Sequence, residues 1–301
     1  MVRDDTGSIL GSEVNDLIET RTRDELLLVG EGRTAEIVAW DEGRVVRLFR
    51  EGSSRRYALR EQRVSRAVHS AGVPSPEVFL ADTEDGLVEV DGRLGILMER
   101  VEGPTMLREL ARRPWKLWAY ANECARLHRE MHARTAVDLP SQRERLHHVI
   151  DRIAEALGDD IAERIHQAVD KLPEGDAICH GDFHPDNVMM SERGAVIIDW
   201  GPSTSGNPAA DVAWTVHLIR HGGTPPGMRL WQRLMLTVFR RLFLGAYLKA
   251  YLRHSPLTCG EIESWEGPIA ALRLGDRISE KRELLLKDIR KHYGPEVGDE
   301  A

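Results

Sequence analysis

Residues 177–201 read AICHGDFHPDNVMMSERGAVIIDWG, and the order of residue types in this stretch decides how the rest of the chain is read. Short apolar runs flank a loop that carries Asp182 and Asn187, and a second hairpin arm, AVII, delivers Asp199 at its end. The pattern is His-x-Asp-x4-Asn, then apolar-apolar-Asp-x-Gly. It supplies one carboxylate suited to an attacking hydroxyl, plus an amide and a second carboxylate, which are hard oxygen ligands of the kind Mg²⁺ takes. An ordinary turn also favours Asp and Asn, but a turn alone does not require this ordered set.

On the N-terminal side, LLLVG from Leu26, EIVAW from Glu36 and RVVRLF from Arg44 are β-rich runs separated by Gly30-Glu31-Gly32 and Asp41-Glu42-Gly43 turns. That pattern predicts antiparallel strands. RYALREQRVSRAVHSAG from Arg56 repeats its apolar residues at helical spacing until Gly72. Further strands follow at EVFLAD, GLVEV and LGILMERV. After Glu102-Gly103-Pro104 the spacing turns helical over residues 115–133, 143–157 and 161–172, and again from Pro208 onward. The reading divides the chain into an arm at 1–23, an N-terminal lobe at 24–100, a hinge at 101–104 and a C-terminal lobe at 105–301.

His180-Gly181-Asp182-Phe183-His184-Pro185-Asp186-Asn187 and Ile198-Asp199-Trp200-Gly201 resemble the catalytic and metal-binding motifs of the aminoglycoside phosphotransferase and choline kinase family, and the likeness extends over roughly residues 26–290. The resemblance implies a bilobal, protein-kinase-like α+β fold: an antiparallel sheet with one helix, then a mainly helical lobe. It implies binding of ATP, with GTP as the alternative, in the cleft between lobes, and Mg²⁺-assisted transfer of the γ-phosphoryl group to a hydroxyl of a small polar metabolite or antibiotic. By that resemblance Asp182 is the catalytic aspartate, and Asn187 and Asp199 hold Mg²⁺.

The same resemblance assigns Gly30 and Gly32, in Gly30-Glu31-Gly32-Arg33-Thr34-Ala35, to a phosphate loop, although a plain hairpin turn would use the same residues. It places Arg47 where the family has a lysine, with Glu61 on the following helix as its partner; a solvated strand arginine is the other reading. This departure motivates an alternative function, an impaired pseudokinase-like nucleotide-binding or regulatory protein. Backbone groups of Glu99 and Val101 are expected to meet adenine at the hinge. The short run from Asp199 to Asp211 leaves no room for the activation segment of a protein kinase, and Asp211 is expected to brace the catalytic loop. The stretch from Trp265 to Asp276 resembles a helix facing the acceptor, making Glu266 and Asp276 candidate substrate contacts, against the plainer reading of a solvated acidic face. Cys179, His180 and His184 also have a metal-like spacing, but His180 reads better as a buried histidine tying the loop to backbone groups.

Composition sets the outer limits. The 301 residues are 42% hydrophobic and 30% charged, ordinary for a globular protein. A net charge of -8 argues against a nucleic-acid binder. The final third alone is richer in Lys and Arg than in Asp and Glu, which speaks against a polycationic aminoglycoside as acceptor. The apolar run from Leu236 is interrupted by Arg240, Arg241 and Lys249, so no membrane span is expected. With no secretory pattern at the N-terminus and three cysteines in no paired motif, the expectation is a cytoplasmic protein with reduced, buried thiols. Trp115, Trp118, Tyr120, Trp214 and Trp231 are expected to pack between helices.

Overall fold

The computed structural model describes residues 22–224, 227–275 and 282–294. Most of the expected N-terminal arm, and Asp276, lie outside the described residues. The chain forms two compact units, one of Met1–Arg66 with Pro76–Val101, the other of Ala67–Ser75 with Glu102–Ala301.

The first unit is built on an antiparallel sheet. Its strands are β1 (Leu28–Glu31), β2 (Ala35–Ala39), β3 (Arg44–Phe49), β4 (Val78–Phe79), β5 (Val88–Val90) and β6 (Arg93–Glu99), in the order β1-β2-β3-β6-β4 with β5 also paired to β6. Between β3 and β4 runs helix α1 (Arg55–Ser70). Period-two alternation gives each strand two different faces. Val38, Val46, Leu48, Val88, Val90 and Leu97 form an apolar cluster with Leu26. Ala35, Phe49, Val78, Leu87 and Ile96 form another with Ala58 of α1. Arg47 falls on the strand face it shares with Phe49, in register with Ile37 and Ile96.

The second unit is mainly helical, with α2 (Met106–Arg112), α3 (Leu117–His132), α4 (Gln142–Leu157) and α5 (Asp159–Lys171) before the stretch that carries Asp182, Asn187 and Asp199. There β7 (Ala177–Cys179) pairs with β10 (Thr204–Gly206), and β8 (Val188–Ser191) pairs with β9 (Gly194–Ile197). Among the described residues there follow α6 (Pro208–His221), α7 (Leu230–Arg253), α8 (Cys259–Glu263), α9 (Glu266–Gly275) and α10 (Arg282–Tyr293). Local chemistry sets several of these ends. The Ser141 hydroxyl accepts from Glu144 N at the start of α4, and the Asn207 side chain accepts from Ala209 N with Pro208 at the first position of α6. Gly103 has φ of +135°, and a Cβ there would run into Met190 O, so the entry to α2 needs glycine. Among the described residues no helix is long and apolar enough to cross a membrane.

Three of the five aromatic residues do not pack as expected. Tyr120 and Trp214 are buried, but Trp115, Trp118 and Trp231 are 72%, 57% and 60% exposed. Trp115 lies in a 3-10 turn, Trp118 points away from the α3 face that buries Leu117, Tyr120, Ala121 and Cys124, and Trp231 lies in the first turn of α7. The residues that α7 buries, Phe243, Leu244, Tyr247 and Tyr251, are all in its second half. Cys124 and Cys179 are buried thiols, whereas Cys259 is exposed because it opens the short helix α8.

Candidate active site

The loop between β7 and β8 is held from beneath by Asp211, in the first turn of α6. This buried carboxylate accepts hydrogen bonds from His180 N at 2.7 Å and Gly181 N at 2.8 Å. It also accepts from His128 Nε2 at 3.0 Å and His132 Nε2 at 3.1 Å. On the other side of each ring, His128 Nδ1 lies 2.6 Å from the Tyr247 hydroxyl and His132 Nδ1 lies 2.7 Å from the Tyr251 hydroxyl. Burial works to raise the Asp211 pKa, but the histidine hydrogen bonds outweigh it and hold the group well below the usual carboxylate range. Burial pulls His128 down to about 3, with His132 adding to the effect. His128, His132 and Asp211 bring their ligand atoms together as a metal site would, but the hydrogens on both Nε2 atoms are spent on the carboxylate, and the loop amides occupy it too.

His180 ties two backbone segments together. Its Nε2 donates to Ile198 O at 3.0 Å, and its Nδ1 accepts from Asp182 N at 3.2 Å. Burial lowers its pKa, which keeps the ring in the neutral form that this pairing needs. Gly181 has φ of +72° and lies so close to Pro202 O that a Cβ would sit 2.7 Å from it. Arg145 of α4 donates to the same Pro202 O.

On this scaffold the loop brings Asp182 and Asn187 together. Asn187 Nδ2 donates to Asp182 O at 2.9 Å and reaches Asp182 Oδ2 at 3.4 Å. That pins the amide, and its Oδ1 is the atom left to act as a ligand. Ile198 N donates to Asn187 O at 2.9 Å, tying the residue before Asp199 to the same loop. Asp199 adopts φ of +67°, a left-handed conformation that costs a non-glycine residue on the order of 1–2 kcal/mol. His184 Nε2 lies 3.7 Å from Asp182 Oδ2. Burial works to raise the Asp182 pKa, but His184 overcomes it and the group is lowered overall. The indole N–H of Trp214 also favours the Asp182 charge.

In the first unit, Arg47 Nε lies 2.5 Å from Glu61 Oε1, and both side chains are largely buried. Arg47 is therefore no solvated strand residue. Its NH2 also donates to Thr34 Oγ1 at 3.3 Å. Gly30 lies in β1 and Gly32 follows that strand, where Gly32 N donates to Ala35 O at 2.9 Å. Neither glycine has positive φ. Glu99 ends β6, and its N–H is donated to Glu77 O at 2.8 Å, so adenine contact through Glu99 would fall to its carbonyl. Val101 is half-buried at the end of this unit.

Among the described residues, Glu266 makes no hydrogen bond or ion pair with the Asp182–Asn187 loop. It opens α9, pairs with Arg220 at 3.2 Å and lines a cavity of about 260 Å³ with His217, His221, Lys291 and His292. Arg220 lies roughly 13 Å along α6 from Asp211 at 1.5 Å per residue. Sequence reading did not single out His128, His132, Arg145 or the two tyrosines. The spacing Leu127-His128-x3-His132 marks two histidines for one face of α3, but nothing local says that α6 and α7 will meet them there.

A family model described as the phosphotransferase enzyme family matches residues 28–257, and the chain belongs to that family. Comparison with curated proteins returns no match. Among solved structures, a thermostable mutant of aminoglycoside phosphotransferase APH(4)-Ia in its apo form is 16% identical with a TM-score of 0.58, covering 91% of this chain and 95% of that one. The streptomycin-ATP-APH(2")-IIa ternary complex is 15% identical, also with a TM-score of 0.58, covering 95% and 97%. The amicoumacin kinase hAmiN in complex with AMP-PNP, Ca²⁺ and Ami is 13% identical with a TM-score of 0.55, covering 94% and 91%. At these identities the likeness establishes the fold, the kinase-like α+β architecture.

Proposed function

We propose that the protein transfers the γ-phosphoryl group of a nucleoside triphosphate, ATP or GTP, to a hydroxyl of a small polar metabolite or antibiotic. The observation that carries this reading is the Asp182–Asn187 arrangement: the amide is pinned to the main chain beside the carboxylate, and the following hairpin delivers Asp199. Asn187 Oδ1 and the Asp199 carboxylate are hard oxygen donors that fit Mg²⁺. When bound, that ion would neutralise charge on the phosphate oxygens.

Asp182 is then the residue that orients the acceptor hydroxyl and takes its proton. Its lowered pKa keeps it ionised and able to accept. Arg47, held by Glu61, is proposed to bind the α- and β-phosphates through the outer nitrogens of its fork. Gly30 and Gly32 would let backbone amides approach the phosphates, and Glu99 and Val101 would meet the base. Glu266 is kept as an acceptor contact. Because such transfer depends on positioning and on preorganised charge, the rigid Asp211 network supports the reading as much as the motif does.

The test is calorimetric titration of ATP and GTP, with and without Mg²⁺, into wild type and Asp199→Asn. The reading expects Mg²⁺-dependent binding that the substitution weakens. If neither nucleotide binds under any condition, the reading fails. Binding without Mg²⁺ dependence and without ADP release in an acceptor screen would favour the impaired, regulatory alternative raised by Arg47.

A further inference from the structure

Helices α4 and α5 carry the same short pattern, His147-x3-Asp151 on one and His166-x3-Asp170 on the other. The pairing crosses between the helices. The two imidazoles have centroids 4.9 Å apart and planes 15° from parallel, and they meet edge to edge with their Nδ1 atoms 2.6 Å apart. His147 Nε2 lies 3.1 Å from Asp170 Oδ1, and His166 Nε2 lies 3.1 Å from Asp151 Oδ1.

A count of hydrogens shows what this cluster lacks. An ionised carboxylate only accepts, so each Nε2 needs a hydrogen, and an Nδ1–Nδ1 contact at 2.6 Å needs a third. Two neutral imidazoles carry one N–H each. Every neutral arrangement therefore sets a nitrogen lone pair against another lone pair or against a carboxylate. Arg143 brings positive charge to Asp170 at 3.6 Å and to Glu174 at 2.9 Å, but its contacts are with these carboxylates and with carbonyls at the end of α5. The deficit lies between the two rings, where a proton or a metal ion removes it; the two Nδ1 atoms converge there while both Nε2 atoms already face carboxylates, the arrangement a metal-bound histidine pair takes.

We propose that His147 and His166 bind a late first-row divalent metal ion, Zn²⁺, Ni²⁺ or Cu²⁺, through their Nδ1 atoms, while Asp170 and Asp151 hold the opposite nitrogens. Imidazole suits these ions, and a metal-bound histidine usually donates its other N–H to a carboxylate or carbonyl, which fixes tautomer and ring orientation. Tetrahedral Zn²⁺ with bonds of about 2.0–2.1 Å sets two nitrogens roughly 3.4 Å apart, so the rings need separate by less than about 1 Å. Both rings are partly exposed, which permits that adjustment and leaves the remaining coordination positions to water. The site is separate from Asp182, Asn187 and Asp199. It would clamp α5 to α4, the helix whose Arg145 holds Pro202 O and whose Gln142 accepts from Asn207 N.

The test is titration of the metal-free full chain with Zn²⁺ by calorimetry, in wild type and in His147→Gln, His166→Gln, Asp170→Asn and His217→Gln. The last is a control, because His217 and His221 lie one turn apart on α6 with ring centroids 4.7 Å apart and are a competing histidine pair. The proposal expects one Zn²⁺ equivalent in wild type, a loss of affinity of at least about 100-fold in His147→Gln and in His166→Gln, a loss of roughly 10-fold in Asp170→Asn, and no change in His217→Gln. Wild-type binding that matches His147→Gln and His166→Gln, or binding removed by His217→Gln alone, overturns it. A wild-type measurement covers the case of poorly folded variants: in long-range ¹H–¹⁵N spectra, Zn²⁺ should move the Nδ1 resonances of His147 and His166 while both Nε2 atoms keep their hydrogens. Absence of that shift rejects the site.

Discussion

Replacing Asp211 tests the scaffold beneath the loop that carries Asp182 and Asn187. The substitution Asp211→Ala leaves two loop amides, His180 N and Gly181 N, without their acceptor in a buried environment, and frees two imidazole N–H groups. A buried donor left unsatisfied costs about 1–3 kcal/mol, so the two amides alone give roughly 2–6 kcal/mol. The imidazoles can turn in place, and removing a buried charge returns part of its desolvation cost. The net expected loss is about 3–5 kcal/mol, the range for breaking a buried charged network. For a helical unit of about 200 residues this lowers the melting temperature by roughly 6–20 °C at 2–4 °C per kcal/mol. Asp211→Asn keeps one oxygen but turns an NH₂ group toward donors, so it should fall between wild type and Asp211→Ala. Scanning calorimetry at pH 7.5 reads both. A melting temperature for Asp211→Ala within about 3 °C of wild type, or an Asp211→Asn protein no less stable than wild type, would refute the argument that this carboxylate holds the loop.

Three further outcomes follow from the same structure. His128 is buried with its pKa near 3 against an unfolded value of about 6.5, so between those pH values the unfolded chain binds the extra proton. Stability should be full above about pH 6.5 and fall on acidification by up to about 1.4 kcal/mol per unit, roughly 2 kcal/mol at pH 5 from His128 alone; His180 shifts in the same direction. Urea midpoints at pH 7.5 and 5.0 measure it, and a midpoint that rises at pH 5.0 contradicts the burial of these neutral rings. Asp182→Ala should abolish phosphoryl transfer while leaving nucleotide affinity nearly intact, because Asn187 is anchored on the main-chain oxygen of Asp182. ADP-release assays together with calorimetry check this, and substantial residual turnover removes Asp182 from the mechanism. Gly103→Ala combines a positive φ with a clash against Met190 O, and should cost about 1–3 kcal/mol; an unchanged thermal melt would refute it.

Much of the fold was legible because its signals are local. The period-two runs around Val38, Val46 and Leu97 and the turn residues between them announce an antiparallel sheet, and helical spacing announces α3, α4 and α5. Helix α2 was not read from the sequence, since its seven residues give too short a window for periodicity. The exposed tryptophans were misread for a related reason. Apolar character reports what burial would gain, but whether a partner surface reaches Trp118 or Trp231 depends on distant segments.

The sequence by itself determined the identity and order of the chemical groups: Asp182, Asn187 and Asp199 in one stretch, an arginine in the third strand with a glutamate on the next helix, and a short path from Asp199 to α6. Only the tertiary structure decided which distant groups stand behind them. Asp211 meets His128 and His132 across 83 and 79 residues, and those rings meet Tyr247 and Tyr251 across 119. The crossed His147 and His166 pair arises in the same way, from the packing of α4 on α5. Hydrogen bonds and ion pairs act over a few ångströms, so a linear pattern names the candidates, while chain packing selects which of them touch.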